Sequence, residues 1–297
     1  MIVLSEDSPR LSPSPSVQSV KAVTEAARLT DCRIYHIPQQ EICDSAEDAL
    51  AYVPVQDEET PGVWLGYIPT SDWYAAIYAE ALRKRIRLLN DPEEHLDAQE
   101  FDRAYARLQQ LTPPSVIITD PAECAQVVAQ LGLPVFVKGA IQSRKASGWK
   151  ACVAETLEEL ERLCVRLLAL ETRSRGKVVV RQLVKLRHHR VSAQGFPFGR
   201  EYRVFLYRQE ILGFGYYWEG DDPLKPLLPD EQTVVLARAK EAARRVGSPF
   251  LTVDIGQTES MDWIVIETGD AQFSGASQIP LLSLWHAISQ ISHLPPL

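Results

Sequence analysis

Two carboxylates towards the C-terminal end, Asp254 and Glu267, offer the clearest chemistry in this sequence. Asp254 lies in the apolar, β-branched run 251–255, and Glu267 in a second such run, 263–268. The polar residues 257–262 between them make the segment a hairpin. With its turn centred between Ser260 and Met261, Asp254 faces Glu267 directly. Two carboxylates so placed, roughly 4.5–5.5 Å apart at Cβ, repel each other and weaken the sheet. A divalent cation makes such a pair favourable, and hard oxygen ligands suit Mg2+. Glu267→Gln is then expected to relieve repulsion and stabilise the metal-free protein. A register shifted by one or two residues would instead leave both acids solvated.

Other residues converge on anion binding. Lys138 ends the strand-like run 135–138 and opens the polar loop 139–148, bounded by Gly139 and Gly148 and carrying Arg144 and Lys145. An ammonium is a compact charge for phosphate oxygens, and a glycine-bounded loop can close over a triphosphate. Lys138 could also be an ordinary edge-strand lysine, and Arg144 and Lys145 solvated until a ligand arrives. Alternation in the run 201–207 puts Glu201, Arg203 and Phe205 on one strand face. As a mere surface ion pair, Glu201 and Arg203 would contribute under about 1 kcal/mol. His188 and His189 point to opposite faces if extended, so the basic segment 185–190 reads as a solvated connector.

The elements that position these residues follow from periodicity. Strands at 1–4, 32–37, 64–68 and 86–90 alternate with helices at 17–29, 71–85 and 97–111, Ser71 serving as an N-cap. That alternation indicates an open α/β domain over residues 1–114, with a Ser/Pro-rich loop at 8–16 near its start. Thr112, Pro113 and Pro114 mark the boundary. Beyond it come a strand at 115–119, a helix at 121–131, the strand ending at Lys138, and a partner strand at 149–153. Thr156 with Glu159 forms a capping box for a helix with one leucine-rich stripe. A buried-type strand at 177–184, a meander over 201–218, a helix at 230–246 closed by Gly247, the hairpin, and a helix at 281–291 complete the chain.

Bulk composition narrows the function. The 297 residues, 45% hydrophobic and 24% charged, can bury a sizeable core. A net charge of −8 argues against a general nucleic-acid binder. The five cysteines have no CxxC spacing and read as reduced thiols, and no apolar run reaches a membrane-spanning length. These features point to a cytoplasmic protein. No Gly-x-Ser-x-Gly motif, Walker-type loop or zinc spacing occurs.

Strand, Lys138, polar loop, strand, capped helix, strand, and a meander with two spaced acids: this order resembles the ATP-grasp superfamily over about residues 115–280. The stretches around Leu88–Pro92 and Leu111–Pro114 look like a branch of bacterial and phage ATP-grasp proteins. The resemblance implies an N-terminal open α/β domain before two α+β subdomains, at 115–184 and 185–297, that hold ATP between them. It implies ATP and Mg2+ as cofactors and ligation of a carboxylate to an amine or thiol through an acyl phosphate. Lys138, with Arg144 and Lys145, would take the phosphates, and Gln182, Leu183 and Val184 would clasp adenine through backbone groups. At Arg181, in the same cofactor-binding strand, many relatives have glutamate. Glu201 would accept from ribose hydroxyls, Arg203 would face the transferred phosphoryl group, and Asp254 and Glu267 would hold metal. Gly269 stands where the family has an asparagine; Asp270 could substitute as a metal ligand if a bulge at Gly269 re-aimed it. Two other readings stay open: a nucleotide-binding protein of this fold without ligase activity, and a nucleic-acid interaction protein using basic segments near Arg85 and Arg187.

Overall fold

The computed structural model describes residues 1–7 and 14–291. Its first part is built on parallel pairing. Strand β1 (Ile2–Ser5), helix α1 (Pro15–Leu29), β2 (Arg33–His36), the short α2 (Ala46–Ala49), β3 (Thr60–Leu65), α3 (Ser71–Arg83) and β4 (Ile86–Leu88) form a sheet of order β2-β1-β3-β4, all pairs parallel. Part of the Ser/Pro-rich stretch, residues 8–13, lies outside the described residues. Its end opens α1: Ser14 accepts from the Val17 amide, and Pro15 takes the first helical turn, where no amide is needed. The cap of α3 is Thr70, one residue earlier than Ser71.

The helix expected over 97–111 is two helices, α4 (Pro92–Gln99) and α5 (Phe101–Leu108). A capping box between Asp91 and Glu94, with Pro92 next, starts α4 early; Glu100, extended at ψ 110°, ends it. Both helices pack on the last sheet: Ala98, Phe101, Ala104 and Leu108 share a core with Val204, Val253 and Val265.

The middle segment is an antiparallel sheet. It contains β5 (Ser115–Ile118), α6 (Cys124–Leu131), β6 (Val135–Gly139), β7 (Val153–Ala154), α7 (Leu157–Leu168), α8 (Glu171–Ser174) and β8 (Val178–Gln182), in the order β5-β8-β6-β7. The partner strand of β6 is shorter than 149–153, because Trp149–Ala151 folds into a 3-10 turn. The connector after β8 is partly a strand, β9 (His188–Val191), paired with β10 (Pro197–Gly199).

The last sheet comprises β11 (Glu201–Tyr207), β12 (Glu210–Tyr216), β13 (Phe250–Gln257) and β14 (Trp263–Asp270), with α9 (Pro229–Val246) between β12 and β13. Its order is β12-β11-β13-β14, antiparallel throughout. Helix α10 (Leu281–Ser289) follows, and its Leu284, Trp285 and Ile288 join a core with Ala26 and Ala27 of α1.

Polar pins join the sheets. Asn90 donates to the Phe250 carbonyl at 2.7 Å and accepts from the Phe250 amide at 2.9 Å. Arg175 pairs with Glu100 and donates to Ser71 Oγ at 3.0 Å and the Pro69 carbonyl at 2.5 Å. Among the described residues no helix is long and apolar enough to cross a membrane.

Candidate active site

Three neighbouring strands of the last sheet set the charged residues in one row. Arg203 on β11 faces Asp254 on β13, and Asp254 faces Glu267 on β14. Past this pair the register shifts: Ile255 pairs with Val265, leaving Ile266 as an extra residue on β14. Counting outward from a turn cannot reveal such a bulge, whose cause is tertiary.

Each carboxylate holds a cation. Arg203 donates from Nε and Nη2 to the two oxygens of Asp254, both at 2.8 Å, and from Nη1 to the Gly275 carbonyl at 2.9 Å. Its guanidinium carbon lies 4.7 Å from the ring centre of Tyr217. Glu267 is met from the other sheet, where Lys138 Nζ donates to Oε2 at 2.5 Å. Lys145 Nζ lies 3.7 Å from Glu201 Oε2, and Trp218 Nε1 donates to the other oxygen at 3.2 Å. The same ammonium sits 5.5 Å from the ring centres of Tyr217 and Trp218. Sequence reasoning passed over these two rings, although the aromatic run 216–218 at the end of β12 was the available signal.

Burial and charge oppose each other at every group. Burial pushes Asp254 and Glu201 up, against the pull of Arg203 and Lys145 respectively. Burial also pulls Lys138 down, against Glu267. Glu267 resists its own burial because Lys138 and Lys145 are near, and its pKa falls to about 2. Lys145 and Arg203 rise despite burial, since Glu201 acts on the first and Asp254 on the second. The site is therefore a set of matched ions in a low-dielectric cleft.

Two cavities meet at this row. One, of about 280 Å³, lies between the two sheets and is lined by Lys138, Lys145, Leu183, Val184, Glu201 and Glu267 among others. The second, of about 300 Å³, is lined by Arg203, Thr252, Asp254, Glu267, Ser274 and Gly275 among others. Glu267 and Ser143 border both.

The remaining sequence candidates fall in different places. Gln182, Leu183 and Val184 line the first cavity where the chain leaves β8, and His188, read as part of a solvated connector, lines it too. Arg181 also lines it but is 6% exposed and donates to the Ile266 carbonyl. Arg144, half-buried, lines neither cavity. The structure does not bring Asp270 to the other acids. No bulge forms at Gly269; Asp270 pairs with Leu251, is fully buried, and lies 2.7 Å from His95 Nδ1. Three positions on from Glu267, strand alternation turns it to the other face. Above Gly269 sits a hydroxyl pair, Thr252 Oγ1 and Ser274 Oγ, 2.8 Å apart, in the space an asparagine side chain would need.

Among the described residues no three His, Cys, Asp or Glu side chains gather to cage a metal. Two opposed carboxylates at the mouth of a polar cavity fit Mg2+, which is commonly bound by one or two carboxylates with water and phosphate oxygens completing its shell.

An antiparallel four-stranded pair of sheets closing on a charged cleft, behind an open parallel α/β sheet, defines a nucleotide-grasping architecture. The pattern of an ATP-grasp domain family, the third of its clade, matches residues 129–288, and the chain belongs to that family. No curated protein matches the sequence. Among solved structures, an ATP-grasp RimK domain protein from Sphaerobacter thermophilus is 13% identical, with 98% of each chain covered and a TM-score of 0.65. A D-alanine–D-alanine ligase from Bacillus anthracis complexed with ATP is 11% identical, covering 91% of this chain and 84% of its own, at TM-score 0.61. The ATP-grasp ligase PsnB, complexed with a minimal precursor, Mg and ADP, is 15% identical, with 97% of each chain covered and TM-score 0.56. At these identities the likeness is one of fold.

Proposed function

We propose that this chain is a cytoplasmic ATP- and Mg2+-dependent ligase joining a carboxylate to an amine or thiol through an acyl phosphate. The observation that carries the reading is the place of Glu267, bordering both cavities beside Asp254. Structural neighbours described as ligases, holding ATP or ADP with Mg, support it.

Adenine is held by backbone groups at Gln182, Leu183 and Val184, and the ribose hydroxyls by Glu201. Lys138 and Lys145, with Arg144 on the same loop, take the phosphates. Mg2+ on Asp254 and Glu267 would bridge phosphate oxygens and draw off their charge. As those carboxylates turn to the cation, Lys138 and Arg203 lose their present partners and are free for phosphoryl oxygens. The substrate carboxylate, lying in the second cavity, attacks the γ-phosphorus; the bond to the bridging oxygen breaks and ADP leaves. The nucleophile then attacks the acyl carbon, gives up its proton, and phosphate departs. Positioning and fixed charge do this work, and the chain supplies no covalent nucleophile.

Mg-ATP is expected to raise the melting temperature, because a ligand bound only to the native state adds RT ln(1 + [L]/Kd). ADP release that needs both a carboxylate and an amine or thiol would then separate a ligase from a nucleotide-binding protein. No melting shift at millimolar Mg-ATP would remove the reading.

A further inference from the structure

Arg181 is the one charged residue of β8, and the proposed chemistry leaves it without a task. It stands on the strand between β5 and β6, opposite Ser115 on one side and Phe136 on the other. Its side chain crosses the cleft. Nη1 donates to the Ile266 carbonyl at 2.6 Å, and Nε to Ser115 Oγ at 3.3 Å. The guanidinium carbon lies 4.3 Å from the ring centre of Phe101, the ring that also has Lys138 Nζ at 5.5 Å. Its Nη2 is buried and has no hydrogen-bond partner among the described residues.

The acceptor of that 2.6 Å bond is the informative part. Ile266 is the extra residue of the bulge, and Glu267 comes immediately after it. A bulged residue drops out of the ladder and can re-aim the side chains that follow. A guanidinium from the opposite sheet, clamped on that carbonyl, fixes both the bulge and the distance between the sheets.

We infer that Arg181 is a positioning residue: it holds the Ile266 bulge so that Glu267 points at Asp254 and the metal rather than into the ladder. This rests on the metal-dependent reading above for its consequence, though not for its geometry. Arg181 belongs to the half of the cleft that carries Lys138, so it also ties the position of Glu267 to that of the phosphate-binding lysine. Burial draws its pKa down to about 10, partly offset by Glu267, so it remains charged at neutral pH. A lysine at this position could reach the carbonyl with one donor but could not also bond Ser115 in the same plane.

The test uses the full chain with Arg181→Met and Arg181→Lys. Without any ligand, amide hydrogen exchange across residues 263–268 should quicken in Arg181→Met and recover in part in Arg181→Lys. With Mg-ATP, the Mg2+ concentration for half-maximal turnover should rise about tenfold in Arg181→Met, the lower range for partners that orient metal ligands. Arg181→Lys should lie between. Affinity for metal-free ADP should stay as in the parent, a split that general loosening of the fold would not produce. If Arg181→Met does not fold, the lysine variant decides alone: exchange as in the parent overturns the inference, and faster exchange supports it. Faster exchange with an unchanged Mg2+ requirement overturns the link to Glu267. Absence of Mg-ATP turnover in the parent counts against the proposed function, while the exchange measurement still decides the clamp.

Discussion

Glu267→Gln gives the sharpest quantitative test. From the sequence, this change should relieve repulsion with Asp254 and stabilise the metal-free protein. The structure reverses the sign, because Glu267 is paired with Lys138, whose side chain is 3% exposed. Removing the carboxylate leaves a buried ammonium facing a neutral amide. Glu267 falls from its ordinary 4.5 to about 2, and at 1.36 kcal/mol per pKa unit that corresponds to about 3 kcal/mol of native-state stabilisation. Loss of one member of a buried pair, at about 3–5 kcal/mol, gives the same scale. A depressed carboxylate stabilises above its unfolded pKa and stops doing so as pH falls through the folded one. The deficit of the variant should therefore be constant above pH 4.5 and shrink from there towards pH 2. Urea unfolding of parent, Glu267→Gln, Lys138→Met and the double variant at pH 7 forms a cycle that isolates the pair. The double variant should recover much of what Glu267→Gln loses. A Glu267→Gln protein as stable as the parent, or more so, would refute the argument from Lys138.

Three further outcomes are expected. Glu6 is buried at the end of β1, accepting from Trp64 Nε1 and the Tyr67 amide, and burial pushes its pKa up to about 7. A raised acid contributes stability below its unfolded pKa and loses it as pH rises, so the parent should lose about 3 kcal/mol between pH 4.5 and 8 that Glu6→Gln does not, as read from urea midpoints. Gly148 has φ +92°, and a Cβ there would lie 2.3 Å from the Gln194 carbonyl oxygen, so Gly148→Ala should cost about 1–3 kcal/mol and lower the melting temperature. Hydrogen exchange should show ATP, but not adenosine, protecting residues 144–148. Unlike those, 141 and 142 are already tied by amide bonds to the Arg173 carbonyl at 3.0 and 3.3 Å, so protection spread evenly over 139–148 would refute this division of the loop.

What could be read in advance was local. Asp254 opposite Glu267 followed from counting back from a polar turn, and Lys138 from the end of a β-branched run. The α/β opening followed from alternating elements. Tertiary causes hid the rest. Helices α4 and α5 precede the prolines yet share a core with the last sheet, because their apolar stripe is completed by Val204, Val253 and Val265, far along the chain. The bulge at Ile266 depends on a hydrogen bond from Arg181, and nothing near Ile266 in the chain announces it. Tyr217 and Trp218 gain their place only once Lys145 folds back over them.

The crossing ion pairs of the cleft also bear on affinity. Lys138 to Glu267 and Lys145 to Glu201 join the two sheets before any nucleotide is present. On the proposed reading, these pairs occupy the groups that a triphosphate and its cation would claim. The protein thus carries an internal competitor, and an arrival must displace it. When only a fraction of molecules is open, the apparent dissociation constant is the intrinsic one divided by that fraction. Weakening a crossing pair then has two opposed effects, fewer charges for the phosphates and a larger open population. Nucleotide affinity need not peak where the cleft has the most cations; it peaks where its own salt bridges yield most readily.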